Sequence, residues 1–207
     1  MQKNINEKNV QRLLEKKSSK IMLLQAFSLI KPEKKEYISA IIIGMLCGIP
    51  ALIIGISTDT IPILTKVFEM ITGVMLTLLG VVFTGYAFFQ ALVSQELLVW
   101  LINEGDENRS KLEENNEYFI KLMMLQGISV FIGLFLGIIF IAIPSDWSLF
   151  GSVMVNNSIA CVLVWIYLVF NFLVLWELKS FIFNVFQLFN AHAVAKILST
   201  LNKKDND

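Results

Sequence analysis

The chain has 207 residues, of which 56% are hydrophobic and 16% charged, and its mean hydropathy is +0.67. Soluble domains average about 45–50% apolar and about 25% charged residues, so this composition is typical of a membrane protein. Lysine and arginine together number 17, as do aspartate and glutamate, so no net basic charge points to nucleic acid. Two cysteines and 11 glycines exclude a disulfide scaffold and a collagen-like chain.

The first segment, residues 1–36, is a basic tail with nine basic and four acidic residues. Its apolar run at 21–30 lies between Lys20 and Lys31 and is too short to cross a bilayer. Such a run predicts an amphipathic, interfacial helix at the lipid surface, with its lysines near anionic headgroups. The alternative is that these positive charges only set the topology and bind no ligand.

Four uncharged stretches follow, and each is long enough to cross a hydrocarbon core of ~30 Å as a helix. The second and fourth exceed the length required, which predicts that these helices continue beyond the membrane into the cytoplasm. The sequence therefore predicts an all-α integral membrane protein with four transmembrane helices, arranged as hairpins at 37–95 and 118–176. The uncharged stretches are residues 37–58, 70–95, 122–145 and 147–176.

The basic residues predict the orientation of these helices. Sixteen of the 17 lysines and arginines lie in the first tail, the middle connection or the last tail, and the two hairpin tips hold only Lys66. By the positive-inside rule, both termini and the middle connection are expected in the cytoplasm. We therefore expect a multi-pass protein of the lipid bilayer. The chain is short and rich in lysine, asparagine and isoleucine, which is typical of bacterial accessory genes, so we expect it in the bacterial cytoplasmic membrane.

The two hairpins align with each other at an offset of 81 residues. Glu36 and Tyr37 match Glu117 and Tyr118, and residues 89–97 match residues 170–178 in the same register. Because both hairpins start on the same side, this pattern predicts a parallel 2+2 repeat about an axis along the membrane normal. The alternative is convergent chemistry at the membrane boundaries, since apolar helices resemble one another by composition.

The middle connection, residues 96–117, is acidic, with seven acidic and two basic residues. Its first part continues the apolar pattern of the second span as a helix, which Gly105 and Asp106 interrupt. Ser110 and Glu113 have the spacing of a capping box, which predicts a new helix that continues into the third span. The opposite charges of this connection and the first tail indicate that the two touch; a merely solvated acidic surface is the alternative.

The last segment, residues 177–207, is predicted to be a cytoplasmic amphipathic helix followed by a tail. Its apolar face is broader than contact with one surface requires, and the second span's extension also carries a tryptophan. We therefore expect this surface to bind other subunits or a soluble partner. The candidate docking residues are Trp100, Phe181, Phe183 and Phe186.

The spans carry no aspartate, glutamate, lysine, arginine or histidine away from their ends, which argues against an ion-coupled transporter or pump. The single histidine, His192, lies in the last segment and has no catalytic partner in the sequence pattern. Neither a P-loop nor a paired-cysteine motif occurs. We therefore predict that the chain is not an enzyme and that it has no cofactor, no metal site and no direct contact with nucleic acid.

The spans do carry packing and polar residues. Glycines spaced four apart allow close approach of helix backbones, either within a hairpin or between copies of the chain. They are Gly44 and Gly48 in the first span and Gly133 and Gly137 in the third. Uncharged polar side chains in the fourth span predict interhelical hydrogen bonds or, around an oligomer axis, the lining of a pore. These candidates are Asn156, Asn157 and Asn171.

In layout the chain resembles the four-span membrane subunit of the Kiwa antiphage defence system, through its four spans, its both-ends-inside topology and its size. That resemblance implies an oligomeric membrane sensor or anchor that engages a soluble, DNA-binding effector upon phage attack. It favours the first of three hypotheses, a homo-oligomeric platform that holds a cytoplasmic protein. The alternatives are an oligomeric pore that depolarises the membrane and an immunity protein against a membrane-acting toxin.

Overall fold

The computed structural model describes residues 7–15, 17–32, 36–106 and 109–204. Within these ranges the chain forms eight helices and one short antiparallel hairpin, in which Gly105 pairs with Ser110 and Asp106 with Arg109. Gly105 has a φ of +140°, a conformation that side-chain-bearing residues rarely adopt. In chain order the elements are α1 (Glu7–Leu14), α2 (Ser19–Ala26), α3 (Tyr37–Ile56), α4 (Thr60–Leu92), α5 (Gln95–Asn103), β1 (Gly105–Asp106), β2 (Arg109–Ser110), α6 (Lys111–Ala142), α7 (Val153–Trp176) and α8 (Leu178–Lys204).

Four helical runs in the described ranges are long and apolar enough to cross a membrane, as predicted. They are α3, α4, α6 and the run from Val153 to Ile197, which contains α7 and most of α8. One end of this bundle holds α1, α5, the β1–β2 hairpin and α8, and we call it the base. The opposite end, with the loops at 57–59 and 143–152, is the tip.

The helices pack in two antiparallel pairs, and each pair joins one hairpin to the other. Helix α4 lies along α6, so that Phe89 is near Phe119 at the base and Phe68 is near Phe140 at the tip. Helix α3 lies along α7 in the same way. Contacts between α3 and α4, and between α6 and α7, are few. The two helices of each sequential hairpin, α3–α4 and α6–α7, therefore contact each other little, and the bundle is held together mainly by the interfaces between the two hairpins.

Two hydrophobic cores follow from this packing, one between the spanning helices and one at the base. The first includes Cys47, Met75 and Tyr167, and the second is formed by side chains of α4, α5, α6 and α8. Removal of apolar area from water stabilises the second core by about 25 cal/mol per Å². The first core depends instead on close van der Waals packing, because lipid is as apolar as these side chains. The second core holds α5 and α8 against the base ends of α4 and α6.

The extension of the second span differs from the prediction of one continuous helix. Helix α4 ends at Leu92, Val93 is extended, and Ser94 accepts a hydrogen bond from the amide of Leu97 to begin α5. A serine at this position satisfies one of the free amides at a helix start, so a new helix begins here. The fourth span also changes helix at Glu177, where α7 ends and α8 begins. Both extensions are thus separate helices that pack on the base.

Helix α2 overlaps the predicted interfacial run of residues 21–30 and packs on the bundle. Met22 and Ala26 are buried, Ala26 in the core that also contains Leu125 of α6 and Val174 of α7. The ring of Phe27, one residue further, lies 6.4 Å from that of Phe170. The segment from α2 to α3 therefore rests against the inner side of α6 and α7 near the base.

The predicted 81-residue repeat can be compared with the helix pairing. The offset carries α3 onto α6 and α4 onto α7, so it exchanges the two strongly packed pairs with each other. The pairing is therefore compatible with a repeat, which stays a prediction.

Candidate functional site

Helix α8 carries apolar side chains on two faces, and the bundle covers only one of them. The covered face packs on α4, α5 and α6 through Phe181, Val185 and Leu188. The opposite side chains are exposed although they are large and apolar. Helices that are apolar nearly all round are usually buried on all sides. The uncovered face consists of Ile182, Phe183, Phe186, Phe189, Val194 and Ile197.

Phe181 is part of the core, contrary to its prediction as a docking residue. It is 6% exposed, and its ring meets that of Phe119 edge-on at 5.8 Å. A Cβ atom on Gly85 would lie 2.7 Å from its Cζ, so the glycine makes room for the ring. Of the predicted docking residues, Phe183 and Phe186 lie on the uncovered face of α8. Trp100 is also exposed, on the neighbouring helix α5.

An apolar groove runs between α8 and the base end of α4. It is enclosed by side chains from both helices and from α5, and His192 lies at its end away from the spans. The His192 Nδ1 atom is buried and has no hydrogen-bond partner in the described part of the chain. The groove is lined by Gly85, Phe88, Phe89, Leu92, Leu97, Val185, Leu188, Phe189 and His192.

The predicted packing glycines lie in two different helix interfaces. Gly44 and Gly48 make space for the indole of Trp165, whose Nε1 donates to the Gly44 carbonyl oxygen at 2.8 Å. Gly133 lies against the Thr72 hydroxyl, and a Cβ atom on Gly137 would lie 3.9 Å from the Cβ atom of Phe68. The two steps therefore pack α3 on α7 and α6 on α4 within one chain.

Two glycines outside the GxxxG steps also have close neighbours on another helix. A Cβ atom on Gly55 would overlap the Cys161 sulfur and lie 2.8 Å from the Cys161 backbone nitrogen. Gly85 is restricted by the ring of Phe181 alone. Sequence spacing did not mark either residue, because the partner that approaches each one comes from a helix more than 90 residues away.

The three polar candidates of the fourth span are not brought together. Asn156 holds the loop at the tip through Phe150, accepting from its amide at 2.9 Å and donating to its carbonyl at 2.6 Å. With its amide oriented to suit its surroundings, Asn157 donates to the carbonyl oxygens of Val153 and Gly55. Asn171 is buried within the bundle. They therefore do not form one continuous lining within the chain.

Asn171 belongs to a buried polar cluster between α4, α6 and α7. Its Oδ1 accepts a hydrogen bond from Ser129, and its Nδ2 donates to the Tyr167 carbonyl oxygen at 2.8 Å. Three further buried groups of these helices have no hydrogen-bond partner in the described ranges: the Gln126 amide, one turn of α6 from Ser129, and the Thr72 and Tyr167 hydroxyls, which lie beside each other at Gly133. A group left unpaired in hydrocarbon costs several kcal/mol, so this cluster requires an explanation.

The basic tail and the acidic connection touch at the base, as predicted. Lys17 donates to Glu113 at 2.6 Å and also to Glu117, which in turn pairs with Lys121 at 3.0 Å and Arg109 at 3.3 Å. Burial lowers the pKa of Lys17, but the hydrogen bonds and charges of Glu113 and Glu117 outweigh it and raise that pKa. Lys17 therefore stays charged at neutral pH and anchors the tail.

Ser110 begins α6 as the capping motif predicted, since its hydroxyl accepts from the Glu113 amide at 3.2 Å. The Glu113 carboxylate, however, pairs with Lys17 rather than turning back to the Ser110 backbone. In the described ranges, no group of three histidine, cysteine or acidic side chains has the geometry of a metal site.

No protein-family model matches the chain, and neither a curated protein nor a solved structure is significantly similar to it. The functional assignment therefore rests on the packing, exposure and charge of the residues described above.

Proposed function

We propose that the chain is a homo-oligomeric platform of the bacterial cytoplasmic membrane that holds a cytoplasmic protein at its base. In this proposal both termini and the base lie in the cytoplasm, in line with the positive-inside distribution of lysine and arginine. The layout resemblance to the Kiwa membrane subunit points to antiphage defence as the setting. The platform holds its partner ready for a signal that arrives through the membrane.

The observation that carries this proposal is the uncovered apolar face of α8. Helix α7 has 24 residues and is about 36 Å long, which is enough to cross a hydrocarbon core of ~30 Å. In this proposal the hydrocarbon therefore ends near the end of α7, and the uncovered face of α8 lies in the cytoplasm. An exposed apolar surface of this kind on the water side marks a protein interaction site.

The acidic connection supports the same reading. Glu113 and Glu117 are already paired with basic residues of the same chain, so the connection is a structural part of the base. Helix α5, which contacts α8, also carries the exposed apolar residues Leu98 and Trp100. Aromatic side chains of this kind are the usual anchors of protein interfaces.

The test is purification of the tagged protein from its own operon in mild detergent, with mass measurement of the intact assembly. The double variant Phe183→Asp/Phe186→Asp should lose a stoichiometric partner that the wild-type protein retains. Gln187→Asp/Asn190→Asp is the matched control, because it adds the same two charges, at the same spacing, to exposed polar positions of the same helix and keeps both aromatic side chains.

Three outcomes separate the candidate functions. Loss of the partner in the phenylalanine variant, but not in the control, supports the platform. Equal recovery of the partner with the phenylalanine variant and with the control contradicts docking on this face. A wild-type homo-oligomer with no partner overturns the platform, and membrane conductance is then the property to measure.

A further inference from the structure

The buried polar cluster lies near the middle of the membrane-spanning part. Lys121 is the last charged residue of α6 before the tip loop. At 1.5 Å per residue, Gln126 is about 8 Å and Gly133 about 18 Å beyond it along the helix. These distances bracket the midplane of a hydrocarbon core ~30 Å thick. The cluster thus occupies three successive turns of α6, at Gln126, Ser129 and Gly133.

Gln126 is the most completely buried member of the cluster. Its exposure is 0%, and neither its side-chain nitrogen nor its oxygen has a partner among the described residues. A glutamine amide offers two donors and an acceptor oxygen with two lone pairs. All of this hydrogen-bonding capacity is enclosed where lipid cannot satisfy it.

Thr72 departs from the other hydroxyl residues of α4. Thr65, Thr77 and Thr84 each donate to the carbonyl oxygen four residues earlier in their own helix, at 2.8–3.1 Å. That local bond is the ordinary way in which a threonine satisfies its hydroxyl inside a membrane helix. Thr72 makes no such bond, although it lies on the same helix.

The Thr72 hydroxyl instead occupies the space beside Gly133, which has no side chain. A Cβ atom on Gly133 would overlap it and would lie 3.1 Å from the Tyr167 hydroxyl oxygen. The two hydroxyls, from α4 and α7, therefore converge on one glycine of α6. On the tip side, the ring of Phe68 packs edge-on against Tyr167 at 4.9 Å.

We infer that this cluster is an internal water site in the middle of the bundle. The water molecules bind to the Gln126 amide and to the Thr72 and Tyr167 hydroxyls, beside the Ser129–Asn171 hydrogen bond. Buried water occurs where polar groups converge, and each molecule makes about three hydrogen bonds. Water in this site connects α7 to α4 and α6 by hydrogen bonds, and the ring of Phe68 bounds the site on its tip side. It is independent of the docking face on α8.

The first test uses the direction of a stability change. Gln126→Met, Thr72→Val and Tyr167→Phe each keep the side-chain shape and remove the polar group. If water satisfies these groups, each variant deprives a bound molecule of a partner, and the melting temperature falls by about 2–4 °C. If the cluster is dry, removal of an unpaired buried group raises the melting temperature.

The control for this series is Thr84→Val, whose hydroxyl is exposed and bonded within its own helix. It should leave the melting temperature within a degree or so of the wild-type value. A rise or no change in all three cluster variants overturns the inference.

The second test detects the water directly. In lipid bilayers, water-edited solid-state NMR of protein labelled with nitrogen-15 in its glutamine side chains should show transfer from water to the Gln126 amide. The Gln126→Met variant assigns that signal by its loss. Absence of transfer to the assigned amide, under conditions in which exposed glutamines show it, overturns the inference whatever the melting temperatures are.

Discussion

At Gly55 the backbone of α3 lies directly against the backbone of α7. A Cβ atom there would meet the backbone of Cys161, and a backbone cannot rotate away as a flexible side chain can. We expect Gly55→Ala to destabilise the protein by about 1–3 kcal/mol through overpacking. Thermal unfolding in detergent measures this loss as a drop of several degrees.

Gly80→Ala is the comparison for this variant, because a Cβ atom on Gly80 would meet nothing within 4 Å. Alanine is the better helix former by about 0.5–1 kcal/mol, so this change should be neutral or stabilising. If both alanine variants behave alike, the close approach at Gly55 does not limit the packing of α3 on α7.

Residue-scale prediction from the sequence succeeded where the determinant is local. Ser110 was predicted to begin a helix from its spacing to Glu113, and it does so. Gly55 and Gly85 could not be recognised, because their neighbours Cys161 and Phe181 are set by tertiary packing. The unpaired amide of Gln126 was also missed, since burial in a bundle core cannot be read from one helix.

Among the elements, α2 depends on the ion pairs that hold its start at the base. Lys17→Glu places a negative charge beside Glu113 and Glu117 and should loosen this attachment. Lys17 is 36% exposed, so water screens these pairs, and we expect about three- to tenfold faster hydrogen exchange in α2. Mass spectrometry of the peptides that cover Ser19–Ala26 measures the change.

The charge-swapped variant Lys17→Glu/Glu113→Lys restores one of the pairs and should recover much of the protection. Lys20→Glu, at an exposed position one turn away, should leave exchange in α2 close to the wild-type rate. Equal acceleration by Lys17→Glu and Lys20→Glu would show that net charge, rather than the specific pairs, holds the segment.

The break between α4 and α5 shows where periodicity reaches its limit as a predictor. Apolar residues continue through the break at helical spacing, so the sequence predicted one helix. Ser94 nevertheless caps a new helix, because Leu97, Leu101 and Ile102 bury their side chains in the core at the base. Tertiary burial at the base decided the direction of the chain.

For the whole molecule, the strongest interfaces lie between the two hairpins. If the chain is expressed as two fragments, 1–107 and 108–207, the pairs α4–α6 and α3–α7 must both form between fragments. We therefore expect the two fragments to be recovered together in detergent when they are co-expressed. Affinity purification through a tag on one fragment measures the recovery of the other.

Gly133→Leu in the second fragment is the matched challenge to this association. The larger side chain would collide with Thr72 and Tyr167, so we expect recovery to fall severalfold. Recovery of the fragments at wild-type yield with this substitution would contradict the importance of the α4–α6 contact.

The number and approximate positions of the spanning helices could be predicted from uncharged length alone, because the bilayer sets that length. Which helices pair could not, since lipid-facing and protein-facing surfaces are both apolar. Exposed Ile49 and buried Cys47 lie two residues apart in α3 and have similar apolar character. Only the partner helix distinguishes them.

Pairing across the hairpins also has a consequence for how the protein is made. Helix α3 is complete at Ile56, but its partner α7 is complete only at Trp176, 120 residues later. At 5–20 residues per second, synthesis takes roughly 6–24 s to cover that distance. A lone spanning helix survives this interval because its backbone hydrogen bonds are internal. Insertion therefore precedes assembly, and the last spanning helix to leave the ribosome completes the bundle.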